Sequence, residues 1–124
     1  MTKENTLDSL EIYQIALDIS DKAWDIYHSL PKNFQYHIGN QFLDAADSIG
    51  ATISEGYGRY HYKDSINFNY YARGSSFETR FWVNRLFQRK LITEEVFSIM
   101  GSLVGKEITK INSYNNYLRS RIKK

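Results

Sequence analysis

Apolar residues recur along the chain at alternating steps of three and four, the spacing of one face of an α-helix. A first helix is predicted over residues 7–30, and its seam comprises Ile12, Ala16, Ile19, Ala23, Ile26 and Leu30. A second apolar stripe beside this seam comprises Leu10, Tyr13, Leu17, Trp24 and Tyr27. We expect the two stripes to form one wide buried face, as a bundle core requires. Pro31 should end the helix because it lacks a backbone N–H.

A second helix is predicted to begin near Asn33, which can cap it, and to run to about Glu55. Its inward positions are Ile38, Phe42, Ala45, Ile49 and Ile53. Gly56 and Gly58 follow at once, and glycine ends helices readily because it adopts the left-handed conformation without a Cβ clash. The stretch from Ile53 to Asp64, ISEGYGRYHYKD, is therefore predicted to be a helix end and a turn.

The third and fourth helices follow the same spacing. The third is predicted to begin near Asp64, with a seam of Phe68, Ala72, Ser75, Thr79, Trp82 and Leu86. Gly74 costs about 1 kcal/mol relative to alanine inside a helix, so its expected use is the close approach of a neighbouring helix. The fourth opens at Thr93 and continues to the C-terminus through Phe97, Met100, Val104, Ile108, Ile111, Leu118 and Ile122. Together they predict an all-α, antiparallel up-and-down four-helix bundle, as a single domain over residues 1–124.

Composition narrows the classes of protein. The chain has no cysteine, which excludes disulfides, thiol catalysis and cysteine-ligated metals. No apolar run approaches the roughly 18–20 residues of a spanning helix, and the first fifteen residues lack an apolar signal-peptide core. We therefore expect a cytoplasmic protein with no membrane partner.

The net charge of +2 conceals an asymmetry between the two halves of the chain. Residues 1–58 carry three Lys or Arg against nine Asp or Glu, giving −6, whereas residues 59–124 carry thirteen against five, giving +8. Such a split can mark an anionic partner, above all nucleic acid. The alternative is that the acidic half packs against the basic half, within one subunit or between subunits.

Candidate chemistry is sparse. His28, His37 and His61 are too scattered for a metal site, and no His follows a Glu at the spacing of a di-iron bundle. The segment EGYGR contains half of a GxGxxG pattern and follows a helix rather than a strand. Glu55 is expected to be partly buried and to serve as a structural partner of a cation. The sequence thus predicts no enzyme, cofactor, metal site or small-molecule substrate, with a site between protomers as the enzymatic alternative.

Basic residues are the more suggestive group. Arg73 and Arg80 share one face of the third helix, and Arg85 and Arg89 share another. Arg59 and Lys63 lie at the turn and alternate there with Tyr57, Tyr60 and Tyr62. Cations beside stacking surfaces suit single-stranded or looped RNA, which makes these six residues candidate nucleic-acid contacts. Alternatively, the arginines form a solvated face and the tyrosines seal a bundle end or a subunit contact.

Four motifs between Gln41 and Leu91 carry a resemblance to a known family. They are AADSI at residues 45–49, ISEGYGR at 53–59, KDSINF at 63–68 and ARGSSFE at 72–78. In this order they resemble the four-helix bundle family encoded in intervening sequences of bacterial 23S rRNA genes. Relatives often carry arginines before the alanine pair, where this chain has Leu43 and Asp44. This departure argues against carrying nucleic-acid binding over to this chain.

The resemblance implies a four-helix protomer, a ring-shaped homopentamer and no established enzymatic activity. A similar branch includes the accessory protein of diversity-generating retroelements, a basic pentamer that binds reverse transcriptase and nucleic acid. It also implies that Glu55, Gly56 and Gly58 close the second helix, that Gly74 permits close packing, and that Arg59 binds a carboxylate or a phosphate. We expect a self-assembling binding or scaffold protein whose partner is itself, with an RNA- or DNA-binding accessory factor as the alternative.

Overall fold

A computed structural model describes residues 6–122, which form four long helices joined by short connections. Helix α1 spans Glu11–Ser29, α3 spans Tyr62–Gln88 and α4 spans Glu94–Ser120. Helix α2 is continuous in three parts, namely an opening turn Lys32–Phe34, a π-helical segment Gln35–Gly39 and an α-helix Asn40–Tyr57. Residues 6–122 contain no β-strand. The prediction of an all-α four-helix protein is confirmed.

Side-chain hydrogen bonds between neighbouring helices fix their directions. Between α1 and α2 they join Tyr27 to Asn40 and Ser20 to Asp47, so the numbers rise on one helix as they fall on the other. Between α3 and α4 they join Asn69 to Asn115 and Arg73 to Asn112 in the same sense. Helices α1 and α3 each pack against both α2 and α4. The bundle is therefore antiparallel and up-and-down, with α1 and α3 on a diagonal.

The predicted seams of α1 and α2 form the core. All six seam residues of α1 and all five of α2 are buried, with Phe42 the largest fully buried side chain. The second stripe of α1 does not behave as expected, because Leu17 and Trp24 are 45% and 57% exposed. Leu10 and Tyr13 of this stripe are half-buried and pack against the core, whereas Leu17 and Trp24 lie on the side turned away from it.

Helix α3 buries small and polar residues and exposes large aromatic ones. Its buried residues are mostly small or polar: Ser65, Ile66, Asn69, Ala72, Ser76, Thr79, Val83 and Leu86. Phe77 and Phe81, by contrast, are 50% and 52% exposed. Of the predicted seam, Ala72, Thr79 and Leu86 are buried, while its larger aromatic members are only partly covered. Small inward residues leave room for the close contact of α3 with α2, and Ser76 and Thr79 donate their hydroxyls to carbonyls one turn earlier.

The helix ends correct one prediction and confirm two. Thr93 caps α4 as expected, its hydroxyl accepting from the Val96 N–H at 3.2 Å. Asn33 does not cap α2, because the helix already begins after Pro31. Helix α3 begins at Tyr62, so its predicted start near Asp64 is confirmed, and Asp64 lies in the first turn, where its charge favours the positive helix end.

The left-handed helix end that the sequence suggested for glycine occurs elsewhere, after α3. Lys90 has φ of 61°, and no glycine within residues 6–122 has positive φ. The N–H groups of Lys90 and Leu91 donate to the carbonyls of Phe87 and Leu86, which is the Schellman arrangement. This turn reverses the chain into α4. Within residues 6–122, no helix combines the length and apolar character that crossing a lipid bilayer demands.

Candidate interaction surfaces on opposite sides of the bundle

Gly56 is the close-approach glycine of this fold. It is buried one residue before the end of α2, and a Cβ built on it would lie 2.6 Å from the Cβ of Phe68 on α3. The carbonyl of Gly56 also accepts a hydrogen bond from the Ser65 hydroxyl at 2.7 Å. The turn motif thus serves packing between α2 and α3 as well as reversal of the chain.

Gly58 and Gly74 depart from their predictions. Helix α2 ends at Gly58 as predicted, but Gly58 has φ of −76° and ψ of −4°, a right-handed conformation open to any residue, so the predicted left-handed end is wrong. A Cβ built on Gly74 would meet nothing within 4 Å, so no helix of this protomer packs closely there. Gly74 lies on the outward side of α3, which explains why the space beside it is empty.

Glu55 is exposed rather than partly buried, because it lies on the outer side of α2. Its carboxylate forms an ion pair with Arg59 at 3.0 Å, one helical turn later. The Arg59 guanidinium also lies 4.5 Å from the centre of the Phe68 ring. Of the two predicted partners of Arg59, a carboxylate or a phosphate, the structure shows the carboxylate. An exposed ion pair of this kind contributes little to stability.

An outward apolar stripe runs along α3 and comprises Tyr70, Gly74, Phe77 and Phe81, spaced by four, three and four residues. We call it the α3 stripe. This spacing is that of a helix–helix seam. Within residues 6–122 nothing packs on Gly74, and the two phenylalanines remain half exposed. The α3 stripe is thus a packing surface without a partner in the protomer.

Arginines and aromatic rings alternate beside the α3 stripe. Arg73 lies 4.7 Å from the centre of the Tyr70 ring and donates to Asn112 Oδ1 at 2.7 Å. Arg80 lies 5.4 Å from the centre of the Phe77 ring, and Arg119 lies 5.5 Å from that of Tyr70. None of these three arginines forms an ion pair with an acid among residues 6–122.

The six predicted nucleic-acid contacts are spread along a line rather than gathered in a cluster. Arg73, Arg80 and Arg85 lie along α3. Arg59 and Lys63 lie at its beginning and Arg89 at its end, and a helix of 27 residues is about 40 Å long. At the first end, Lys63 lines an open hollow of about 350 Å³ with Tyr60, His61, Tyr62, Arg121 and Ile122. At the other end, Arg89 lines a second hollow, of about 420 Å³, with Asn33, Phe34, His37 and Ile38.

A matching stripe faces outward on α1 and comprises Leu17, Asp21, Trp24 and His28, also spaced by four, three and four. We call it the α1 stripe. The rings of Trp24 and His28 are 4.2 Å apart between centroids, and Leu17 and Trp24 are about half exposed. Because α1 and α3 are diagonal in the bundle, the α1 and α3 stripes face opposite directions.

Glu107 is the residue that sequence reasoning missed. It lies on the buried face of α4 between Val104 and Ile111, is 0% exposed, and neither carboxyl oxygen has a hydrogen-bond partner among residues 6–122. Burial, and secondarily the negative charge of Glu11, raises the pKa of Glu107 from 4.5 to about 8. Glu107 is therefore protonated at neutral pH. Its position three residues after Val104 and four before Ile111 is the signal that could have located it.

A tyrosine-rich hollow of about 670 Å³ opens at the end of the bundle beside the turn. Its lining comprises Ser9, Leu10, Glu11, Tyr57, Arg59, Tyr62, Ser65, Tyr114, Tyr117 and Leu118. Burial, and secondarily the neighbouring Tyr57, Tyr117 and Tyr62, raises the pKa of Tyr114. Across residues 6–122, no three His, Cys, Asp or Glu side chains group as metal ligands would.

Comparisons with known proteins agree with this architecture. A solved structure from Bacteroides thetaiotaomicron, described as a protein with unknown function from the S23 ribosomal protein family, superimposes with a TM-score of 0.79. It is 22% identical to this chain, and the match covers 84% of this chain and 97% of that one. No curated protein matches the chain. The family model for the 23S rRNA-intervening sequence protein matches residues 8–113, and neither description names a reaction. The chain therefore belongs to the 23S rRNA-intervening sequence protein family.

Proposed function

We propose that this protein is a non-enzymatic, cytoplasmic scaffold or binding protein that assembles with copies of itself into a homopentamer. The observation that carries the proposal is the α3 stripe, an apolar seam that faces solvent on a helix whose inward side is small and polar. The pentameric number follows the resemblance of the turn motifs to relatives that form rings.

Energetics favours burial of this stripe by a partner. Full burial of a phenylalanine side chain contributes about 1.5–3 kcal/mol, and Phe77 and Phe81 are each half exposed in the protomer. Gly74 between Tyr70 and Phe77 lets a second backbone approach closely, in a space that nothing in this protomer fills. An outward apolar seam with a small residue at its centre suits a helix of another chain.

Replacing both Phe77 and Phe81 by serine is expected to convert the assembly into protomers, because it removes the apolar side chains that a partner would cover. Tyr36→Ser is the matched control, since Tyr36 is 70% exposed on the π-helical segment, away from the α3 stripe. Sedimentation velocity measures the outcome, with circular dichroism confirming that each variant is folded. An unchanged sedimentation coefficient for the folded double variant would contradict the role of the stripe.

Nucleic-acid binding is the second candidate function. The observation that favours it is the alternation of arginines and aromatic rings along α3, where Arg73 and Arg80 lie over Tyr70 and Phe77 without a carboxylate partner among residues 6–122. Guanidinium groups can bind phosphates while aromatic rings stack on bases. The acidic residues on α1 and α2 would then face away from the nucleic acid.

If this candidate holds, labelled structured RNA or duplex DNA will bind with an affinity that falls steeply between about 50 and about 200 mM salt. The variant Arg73→Gln/Arg80→Gln should weaken binding at the lower salt and flatten the salt dependence, because it removes two phosphate contacts. Lys22→Gln/Lys32→Gln removes the same charge from the acidic half and serves as the control. Fluorescence anisotropy measures both. Absence of binding by the unmodified chain at the lower salt would exclude this candidate and assign the basic face to assembly.

A further inference from the structure

The α1 and α3 stripes match each other in spacing and in character. Each has four positions at steps of four, three and four, and each carries two half-exposed apolar side chains, Leu17 and Trp24 on α1 and Phe77 and Phe81 on α3. Equal spacing allows the side chains of one helix to fill the gaps of the other. The two stripes are therefore complementary in shape at the level of helix periodicity.

Their charges are opposite. Exposed acids lie within the α1 stripe and beside it, on α1 and the neighbouring α2: Asp21, Asp25, Asp44 and Asp47. Three arginines, Arg73, Arg80 and Arg85, and one acid, Glu78, flank the α3 stripe. Among residues 6–122 none of these eight groups forms an ion pair. The pairs that join the acidic to the basic half are Glu11 with Lys110 and, at the turn, Glu55 with Arg59. The charge asymmetry is thus not neutralised within the protomer.

The position of the stripes determines what kind of contact they can make. Helices α1 and α3 are on a diagonal, so one protomer presents the acidic stripe on one side and the basic stripe on the other. Contact of unlike surfaces repeats from copy to copy, and it closes into a ring when the rotation between copies allows. Contact of α3 with α3 would instead bring arginines against arginines.

We infer that the α3 stripe of one copy docks on the α1 stripe of the next, with Arg80 and Arg85 placed beside Asp21 and Asp25. This inference rests on the proposed self-assembly and names its two surfaces. Trp24 of one copy would lie beside Gly74, Phe77 or Phe81 of the next. The unpaired charges at the rim of the contact would determine the direction of docking.

Charge reversal tests the pairing of unlike surfaces. The variant Asp21→Arg/Asp25→Arg places cations on both stripes, and the variant Arg80→Glu/Arg85→Glu places acids on both. We expect each variant alone to sediment as the protomer, because like charges then face each other. An equimolar mixture should form larger species than either variant alone, because cationic and acidic copies can alternate, but it should not restore the closed ring of five, because alternation closes only with an even number of subunits. Combining all four changes in one chain should also restore assembly, since the α1 stripe then carries cations and the α3 stripe carries acids.

The outcomes separate this inference from the proposed function. If the unmodified chain is a protomer, both are overturned. If the unmodified chain assembles and Asp21→Arg/Asp25→Arg assembles equally well, self-assembly stands and the α1 stripe is not the docking surface. Failure of the mixture and of the four-change chain to assemble also overturns the pairing, provided that circular dichroism shows them folded. Glu94→Arg/Glu95→Arg makes the same charge change at the start of α4, and it should leave assembly intact.

Discussion

Raising the pH from about 5 to about 9 is expected to lower the free energy of unfolding by about 4 kcal/mol through one side chain, Glu107. Its carboxyl is fully buried on α4, and neither oxygen has a hydrogen-bond partner among residues 6–122. A carboxylate in this position would have lost its hydration without gaining a donor. The folded chain therefore holds the proton to a higher pH than the unfolded chain does.

The direction follows from proton linkage. In the unfolded chain Glu107 has its ordinary pKa of 4.5, and in the fold its pKa is about 8. Below the lower value both states are protonated and the stability is independent of this group. Between the two values only the unfolded state loses its proton, so stability falls by about 1.4 kcal/mol per pH unit and levels off above the folded pKa.

Urea denaturation of the unmodified chain and of Glu107→Gln at several pH values measures this effect. Glutamine has nearly the same shape as the protonated acid and does not titrate, so the two chains should have similar stability near pH 5 and diverge above it. We expect the variant to be the more stable by several kcal/mol near pH 9, on the scale that links a pKa shift to free energy. Both chains are compared at one protomer concentration, because assembly alters apparent stability. Parallel pH profiles would contradict the buried, protonated state of Glu107.

Gly56→Ala is expected to destabilise the fold by about 1–3 kcal/mol, the usual cost of forcing atoms into a filled core. The added Cβ would lie 2.6 Å from the Cβ of Phe68, an atom fixed to the α3 backbone, and 3.4 Å from the Ser65 carbonyl oxygen. Relief requires that α2 and α3 move apart where Ser65 donates to the Gly56 carbonyl. The loss of that contact adds to the cost.

Gly58→Ala is the matched control for this prediction. Gly58 has a right-handed conformation, and a Cβ on it would lie 3.6 Å from the nearest carbonyl oxygen, an ordinary contact. Alanine there should leave the free energy of unfolding unchanged or raise it by up to about 1 kcal/mol, because it restricts the unfolded chain. Thermal and urea denaturation of the two variants measure the difference in their free energies of unfolding. Equal stabilities of the Gly56 and Gly58 variants would show that the close approach of α2 and α3 is not as described.

The sequence was sufficient to predict the four helices and the seams of α1 and α2. Those seams consist of large apolar residues at regular steps, and such residues are buried wherever a core exists, as Ile19 and Phe42 are. Thr93 and Pro31 also acted locally, through a hydroxyl and a missing N–H, so their effects did not depend on the rest of the fold.

The orientation of α3 and the outward stripe of α1 could not be predicted from periodicity. A helix with two apolar stripes gives the same pattern whichever stripe faces the core, and the decision belongs to the neighbouring helices. In α3 the space left by α2 favours Ser76 and Thr79 over Phe77 and Phe81. The large aromatic residues therefore remain outside.

The close approach of α2 to α3 and the burial of polar side chains were the other features that could not be predicted from the sequence. Gly56 and Gly74 look alike in sequence, and only the position of Phe68 shows which of them needs to be glycine. Glu107 and Asn115 occupy seam positions of α4, yet a polar residue in a seam is normally taken as a break in it. Asn115 is satisfied by Asn69 and by the Ile66 carbonyl, whereas Glu107 has no such partner within residues 6–122.

The central claim is that the protein assembles through its outward stripes. Sedimentation equilibrium of the unmodified chain is the most direct test of this claim. The protomer mass is 14.6 kDa. The account predicts a species of five times that mass, which dissociates only on dilution or on substitution of the stripe residues. A single species of the protomer mass at every concentration, in a folded sample, would contradict it.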